Sequence, residues 1–166
     1  RFLLLEAGPH VRLYVTPLQI DPARPAIPLA HPLTYSVYLA KTLGSFATLG
    51  VAEDTSALNE GIIDAAAFME QCRSIHAERE AMFFDALERV PRGVVVCVFD
   101  GPDRIQHMFW RDMDPKHPMH RNGGEPDYTI FEDLYRRMDD LIGRVVMPRR
   151  AAPARVELEG EREDAV

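Results

Sequence analysis

Apolar and polar positions follow distinct rhythms along this chain, and each rhythm predicts a different element. Val11 to Thr16 alternates with period two and is rich in β-formers, which predicts a strand. Phe2 to Leu5 is a short apolar run broken by Gly8-Pro9, so a second strand is expected and the two together suggest a hairpin. From about Asp64 to Val90 the residues Phe68, Cys72, Ile75, Met82, Ala86 and Val90 recur at helical spacing, which predicts a long helix with one buried stripe. Arg79 interrupts that stripe and is expected to snorkel or to pair locally. Pro91-Arg92-Gly93 stops the helix. Val94 to Phe99 then shows no polar alternation at all, the pattern of a parallel strand buried on both faces between helix layers. Long helix, short break and buried strand make the second half of a βαβ unit, so the expected fold class is α/β.

Two more helices are expected. Leu33 to Leu43 has Pro32 suited to its first turn and Gly44 as its C-cap. Tyr128 to about Val146, capped by Asp127, carries Ile130, Leu134, Met138, Leu141 and Val145 on one face. Pro17, Pro22, Pro25, Pro28 and Pro32 exclude regular structure over residues 17–32. The interleaved Leu18, Ile20, Ile27 and Leu29 favour an ordered surface loop there over a disordered linker. Residues 52–56 and 59–61 read as polar connectors, and residues 112–127 as a loop. After Met147 the character changes: the tail from Pro148 to Val166 has no aromatic residue and is expected to be mostly disordered.

Composition adds bounds. With 166 residues, the chain is one domain or a large piece of one, and 46% hydrophobic against 27% charged content permits a core. A net charge of -7 argues against a general nucleic-acid binder, which needs basic clusters to neutralise phosphate. Cys72 and Cys97 read as small buried hydrophobes and offer neither a disulfide framework nor a metal knuckle. No apolar run approaches membrane-spanning length. The start at Arg1-Phe2-Leu3 resembles the middle of a strand, so the chain is expected to begin inside a larger protein. The expected compartment is the cytoplasm, with an upstream signal peptide left open.

Chemistry concentrates just past the expected strand. In open α/β sheets, ligands bind beyond the carboxyl ends of the strands, where Asp100 and Asp103 fall. Asp103 and His107 are four residues apart, so a helix from Arg104 onward puts both on one face, within reach of a common ion. A carboxylate oxygen with an imidazole nitrogen suits Zn²⁺, and also Mn²⁺ or Fe²⁺. From spacing alone a plain Asp–His salt bridge is the commoner outcome, and both readings stand. Arg104 and Arg111 flank the pair and suit either a bidentate phosphate clamp or structural ion pairs. Glu53, Asp54 and Thr55 suit a turn or helix cap better than a ligand set. His117 and His120 read as surface residues, Asp139 and Asp140 as solvated helix residues, and His76 as a surface or pairing histidine. Met108, Phe109 and Trp110 read as packing.

The run Phe99-Asp100-Gly101-Pro102-Asp103-Arg104-Ile105-Gln106-His107-Met108-Phe109-Trp110-Arg111 resembles the alkaline phosphatase superfamily, in its type I phosphodiesterase/nucleotide pyrophosphatase branch. Leu13 to Pro17, Thr48 to Thr55, Glu78-Arg79-Glu80 and the helix from Tyr135 to Gly143 look like the same branch. The resemblance covers roughly residues 1–146. It implies a fragment of a three-layer α/β/α sandwich with a mostly parallel sheet, residues 1–147 forming a partial domain and 148–166 lying outside the family pattern. It further implies two divalent metal ions, Zn²⁺ by preference with Mn²⁺ as the alternative, bridged by the phosphate of a small-molecule, lipid or nucleotide ester. A Ser or Thr on one metal attacks phosphorus in such enzymes, and the metals stabilise charge on the phosphoryl oxygens. Asp103 and His107 match the Asp-x3-His pair that holds one metal, and Arg104 and Arg111 are the substrate-side candidates.

The chain also departs from the pattern. The family's early Asp and its nucleophile lie upstream of Arg1. No Asp-His-Gly occurs anywhere, the later His ligand is absent, and Thr55 does not match the nucleophile's surroundings. At most half of one metal site is therefore expected, with no catalytic nucleophile and negligible turnover by the isolated chain. A phosphomutase of the same superfamily and a non-catalytic α/β binding module are the alternatives. A truncated sheet would leave an exposed edge, which predicts self-association.

Overall fold

The computed structural model describes residues 1–120 and 128–151. Strands β1 (Phe2–Glu6) and β2 (Arg12–Val15) pair antiparallel, with Phe2 opposite Val15, Leu3 opposite Tyr14 and Leu4 opposite Leu13. The expected hairpin is present, with an irregularity between Leu4 and Glu6 at its closed end. The fold is mixed α/β, mostly helical, and this two-stranded antiparallel sheet is the one sheet among the described residues.

Helix α1 (Thr34–Leu43) ends at Gly44, whose φ of 93° only glycine takes without strain. The residues read as a polar connector contain a short helix, α2 (Thr55–Asn59), because Asp54 caps it by accepting from the Ala57 amide at 3.0 Å. Helix α3 (Ala65–Arg89) begins where expected, with Asp64 capping the Ala67 amide at 2.8 Å. Its buried stripe is Phe68, Met69, Cys72, Ile75 and His76. The C-terminal part of the predicted stripe is looser: Met82 and Ala86 are half-buried and Val90 is exposed.

The proline-rich segment is ordered, as its apolar residues suggest. The Gln19 carboxamide oxygen accepts from the backbone amides of Thr48 at 2.7 Å and Leu49 at 3.1 Å, and the Thr48 hydroxyl accepts from the Ile20 amide at 2.9 Å. Two side chains thus replace the backbone ladder that prolines deny.

Val94 to Phe99 departs from expectation. It pairs with no strand, and none of its backbone groups hydrogen-bonds to another backbone group among the described residues. Its residues alternate: Val94, Val96 and Val98 are exposed, while Val95, Cys97 and Phe99 are half-buried. Phe99 rests on α3, with its ring 5.2 Å from His76 and 5.9 Å from Phe83. An all-apolar run predicts burial on both faces only when neighbouring strands exist to flank it.

Helix α4 (Gly101–Met113) follows, and α5 (Thr129–Ala151) forms a unit of its own. Leu134 and Leu141 mark the buried side of α5, within the stripe the sequence predicts. The helix runs past Pro148 to Ala151, where the tail was expected to begin. Proline there removes one helical bond close to the helix end, and Arg149, Arg150 and Ala151 are strong helix formers. The expected cap Asp127 and the rest of the tail, residues 152–166, lie outside the described residues. No described helix is long and apolar enough to cross a membrane.

Candidate functional site

Helix α4 opens on Gly101-Pro102, and proline suits a first turn whose amide would have no intrahelical partner. Its apolar residues fall on one side. Ile105 and Phe109 are buried, and the Phe109 ring lies 6.0 Å from that of Phe68 on α3. Met108 is half-buried, while Trp110 stays 45% exposed. The other side carries Asp103 and His107, whose side chains are 70% and 76% exposed. Asp103 sits in the first turn, where the helix dipole favours a carboxylate.

One helical turn brings His107 Nε2 to 3.3 Å from Asp103 Oδ1. That separation fits two chemistries. It is the distance of an exposed ion pair when the imidazole is protonated. It is also the distance between two donors of a tetrahedral ion, since Zn–N and Zn–O bonds of about 2 Å place neighbouring ligands roughly 3.3 Å apart. The donor types and their spacing therefore fit half of a metal site. No cluster of three or more His, Cys, Asp or Glu side chains able to hold a metal occurs among the described residues.

Arg104 turns away from this pair. Its side chain is 21% exposed and places Nε 3.7 Å from a carboxylate oxygen of Glu53, which is buried. Arg104 Nε is itself buried and has no hydrogen-bond partner among the described residues. The loop carrying Glu53 is fixed by its neighbour: the Asp54 amide donates to Gln71 of α3 at 3.2 Å, and Asp54 Oδ2 accepts from the Tyr14 hydroxyl at 2.6 Å. Burial, reinforced by that bond to Asp54, pushes the Tyr14 hydroxyl up to about 12. Burial, with Glu53 adding to it, pushes the Cys72 thiol up to about 12. A buried carboxylate requires a cation beside it, and Arg104 is that cation.

The remaining candidates are dispersed. The Arg111 guanidinium lies 3.9 Å from Asp112, and its carbonyl oxygen is 2.7 Å from His120 Nδ1. The His117 ring accepts from the Met119 amide at 3.1 Å. Asp100 precedes α4 without capping it through its side chain. Asp139 lies on α5. Two burials run against the expected pattern. His76 is buried beside Phe99, and 3.9 Å from Glu80 it is the pairing histidine of the two expected alternatives and not the surface one. Its place one residue after Ile75 within the apolar stripe of α3 was the available signal. Glu53 is the other, and no local pattern marks a glutamate for burial.

No family model, curated protein or solved structure matches this chain.

Proposed function

We propose that the chain is part of a metal-dependent phosphoric ester hydrolase of the phosphodiesterase/nucleotide pyrophosphatase type, in which Asp103 and His107 hold one of two divalent cations. The observation that carries the reading is the 3.3 Å donor separation on a side of α4 left open to solvent. An ion held there supplies Lewis-acid stabilisation to a phosphate ester. In this reading Val94–Phe99 is a strand of a mostly parallel three-layer sheet. Its exposed valines and its backbone groups, which bond to no other backbone group among the described residues, suit such a place. Arg111, half-exposed and one turn beyond His107, is the better phosphate partner of the two arginines, since Arg104 faces Glu53.

The test is a Zn²⁺ and Mn²⁺ titration of the chain and of His107→Ala. The chain should bind one ion weakly and the variant should lose it. Equal binding by both would leave a non-catalytic module in which Asp103 and His107 form a salt bridge, the second reading that the same contact supports. The isolated chain should show negligible turnover of p-nitrophenyl phosphate or its diester. Robust metal-dependent hydrolysis would overturn the half-site assignment.

A further inference from the structure

The hairpin has two unlike faces. Cross-strand partners share a face, so Leu3 and Tyr14 lie on one side, and Phe2 with Val15 and Leu4 with Leu13 on the other. The first side packs inward, with Tyr14 buried at 7% exposure. On the second side every large side chain is apolar and more than half exposed: Phe2 77%, Leu4 54%, Leu13 55% and Val15 56%. Val11 continues the alternation at 69%, just before β2. A solvated sheet face ordinarily carries polar residues at these positions. Five such side chains present on the order of 600 Å² of apolar surface, the upper limit of what monomers leave in water.

We infer that the outer face of the β1–β2 hairpin packs against the same face of a second copy of this chain, forming a two-fold, face-to-face sheet pair. Two observations favour a second copy. The area suits it: about 600 Å² from each copy would bury about 1,200 Å² in total, the lower end of what stable pairs bury. The face also contains no charged side chain, so two copies meet there without like-charge repulsion despite a net charge of -7. An apolar face meeting its own image is self-complementary, as a two-fold interface requires. This goes beyond the metal-site reading and does not depend on it.

The experiment is sedimentation velocity over a range of concentrations, on the chain and on two single variants. Leu13→Lys puts a charge in the hairpin face, and Val96→Lys puts one in the other exposed apolar segment. Both positions are exposed, so circular dichroism should show the fold retained. The chain should be dimeric, Leu13→Lys should raise the dimer dissociation constant at least tenfold, and Val96→Lys should leave it unchanged. A chain that stays monomeric throughout overturns the inference, whether residues 152–166 or a different protein then covers the face. A dimer lost with Val96→Lys and kept with Leu13→Lys overturns it in favour of edge pairing at 94–98.

Discussion

On one side of α4, Phe109 and Ile105 are closed off from solvent against α3 and its neighbours; on the other, Asp103 and His107 keep most of their side-chain surface in water. Arg104, between them in sequence, belongs with the buried side through Glu53. The contrast separates two kinds of constraint on one helix. The buried side is fixed by volume and charge compensation. Folding leaves the exposed side almost unconstrained, so residues there are free to serve a ligand.

If that contrast is right, Phe109→Ala should be the most damaging change. It should destabilise the chain by about 3–5 kcal/mol through lost burial and a cavity beside Phe68, read by urea or thermal unfolding. A loss under about 1 kcal/mol would mean that the α3–α4 contact is not part of the core. Arg104→Gln should cost about 2–3 kcal/mol, below the full penalty for an orphaned buried charge because the arginine side chain is partly solvated. Adding Glu53→Gln to that variant should recover stability, since no charge is then left unpaired. If the double variant is no more stable than Arg104→Gln alone, Arg104 is not compensating Glu53.

Alkaline pH should sharpen the contrast further. The folded chain favours the neutral Cys72 thiol and the neutral Tyr14 hydroxyl, raising them from 9.0 and 10.0 to about 12. The unfolded chain ionises first, so this stability is intact below pH 9 and is lost as pH rises towards 12. The melting temperature should fall over that window, and Cys72→Ala should flatten the fall between pH 9 and 10. The smallest effects belong to the exposed side. Asp103→Ala and His107→Ala should each change stability by less than about 0.5 kcal/mol, the range of an exposed ion pair, while removing Zn²⁺ binding in calorimetry. A large loss of stability would place the pair among the structural contacts instead.

What the sequence disclosed about the fold was what neighbouring residues decide. Period-two alternation located the hairpin, Asp64 and Gly44 marked helix ends, and the spacing of Phe68, Cys72 and Ile75 marked the buried side of α3. The segment Val94–Phe99 is unpaired among the described residues because a strand exists only with a partner, and pairing is not encoded in the run itself. Short α2 was missed because its cap, Asp54, lies in a stretch with turn composition. For the candidate site, the four-residue step from Asp103 to His107 was enough to bring both side chains together. The orientation of Arg104 was not legible, since it is set by Glu53, far away in sequence and buried for reasons of tertiary packing.

The single oxygen on which Thr48 and Leu49 converge gives Gln19 a consequence for proteolysis. The segment 17–32 has little backbone bonding of its own to resist opening, so its local stability rests on Gln19 and Thr48. Proteases cut where a stretch of chain can detach and enter an active-site groove. In the intact protein the segment should therefore be protected out of proportion to its lack of secondary structure. Gln19→Ala should turn it into the first site of nicking by a broad-specificity protease, at peptide bonds away from the prolines, while the helices remain uncut.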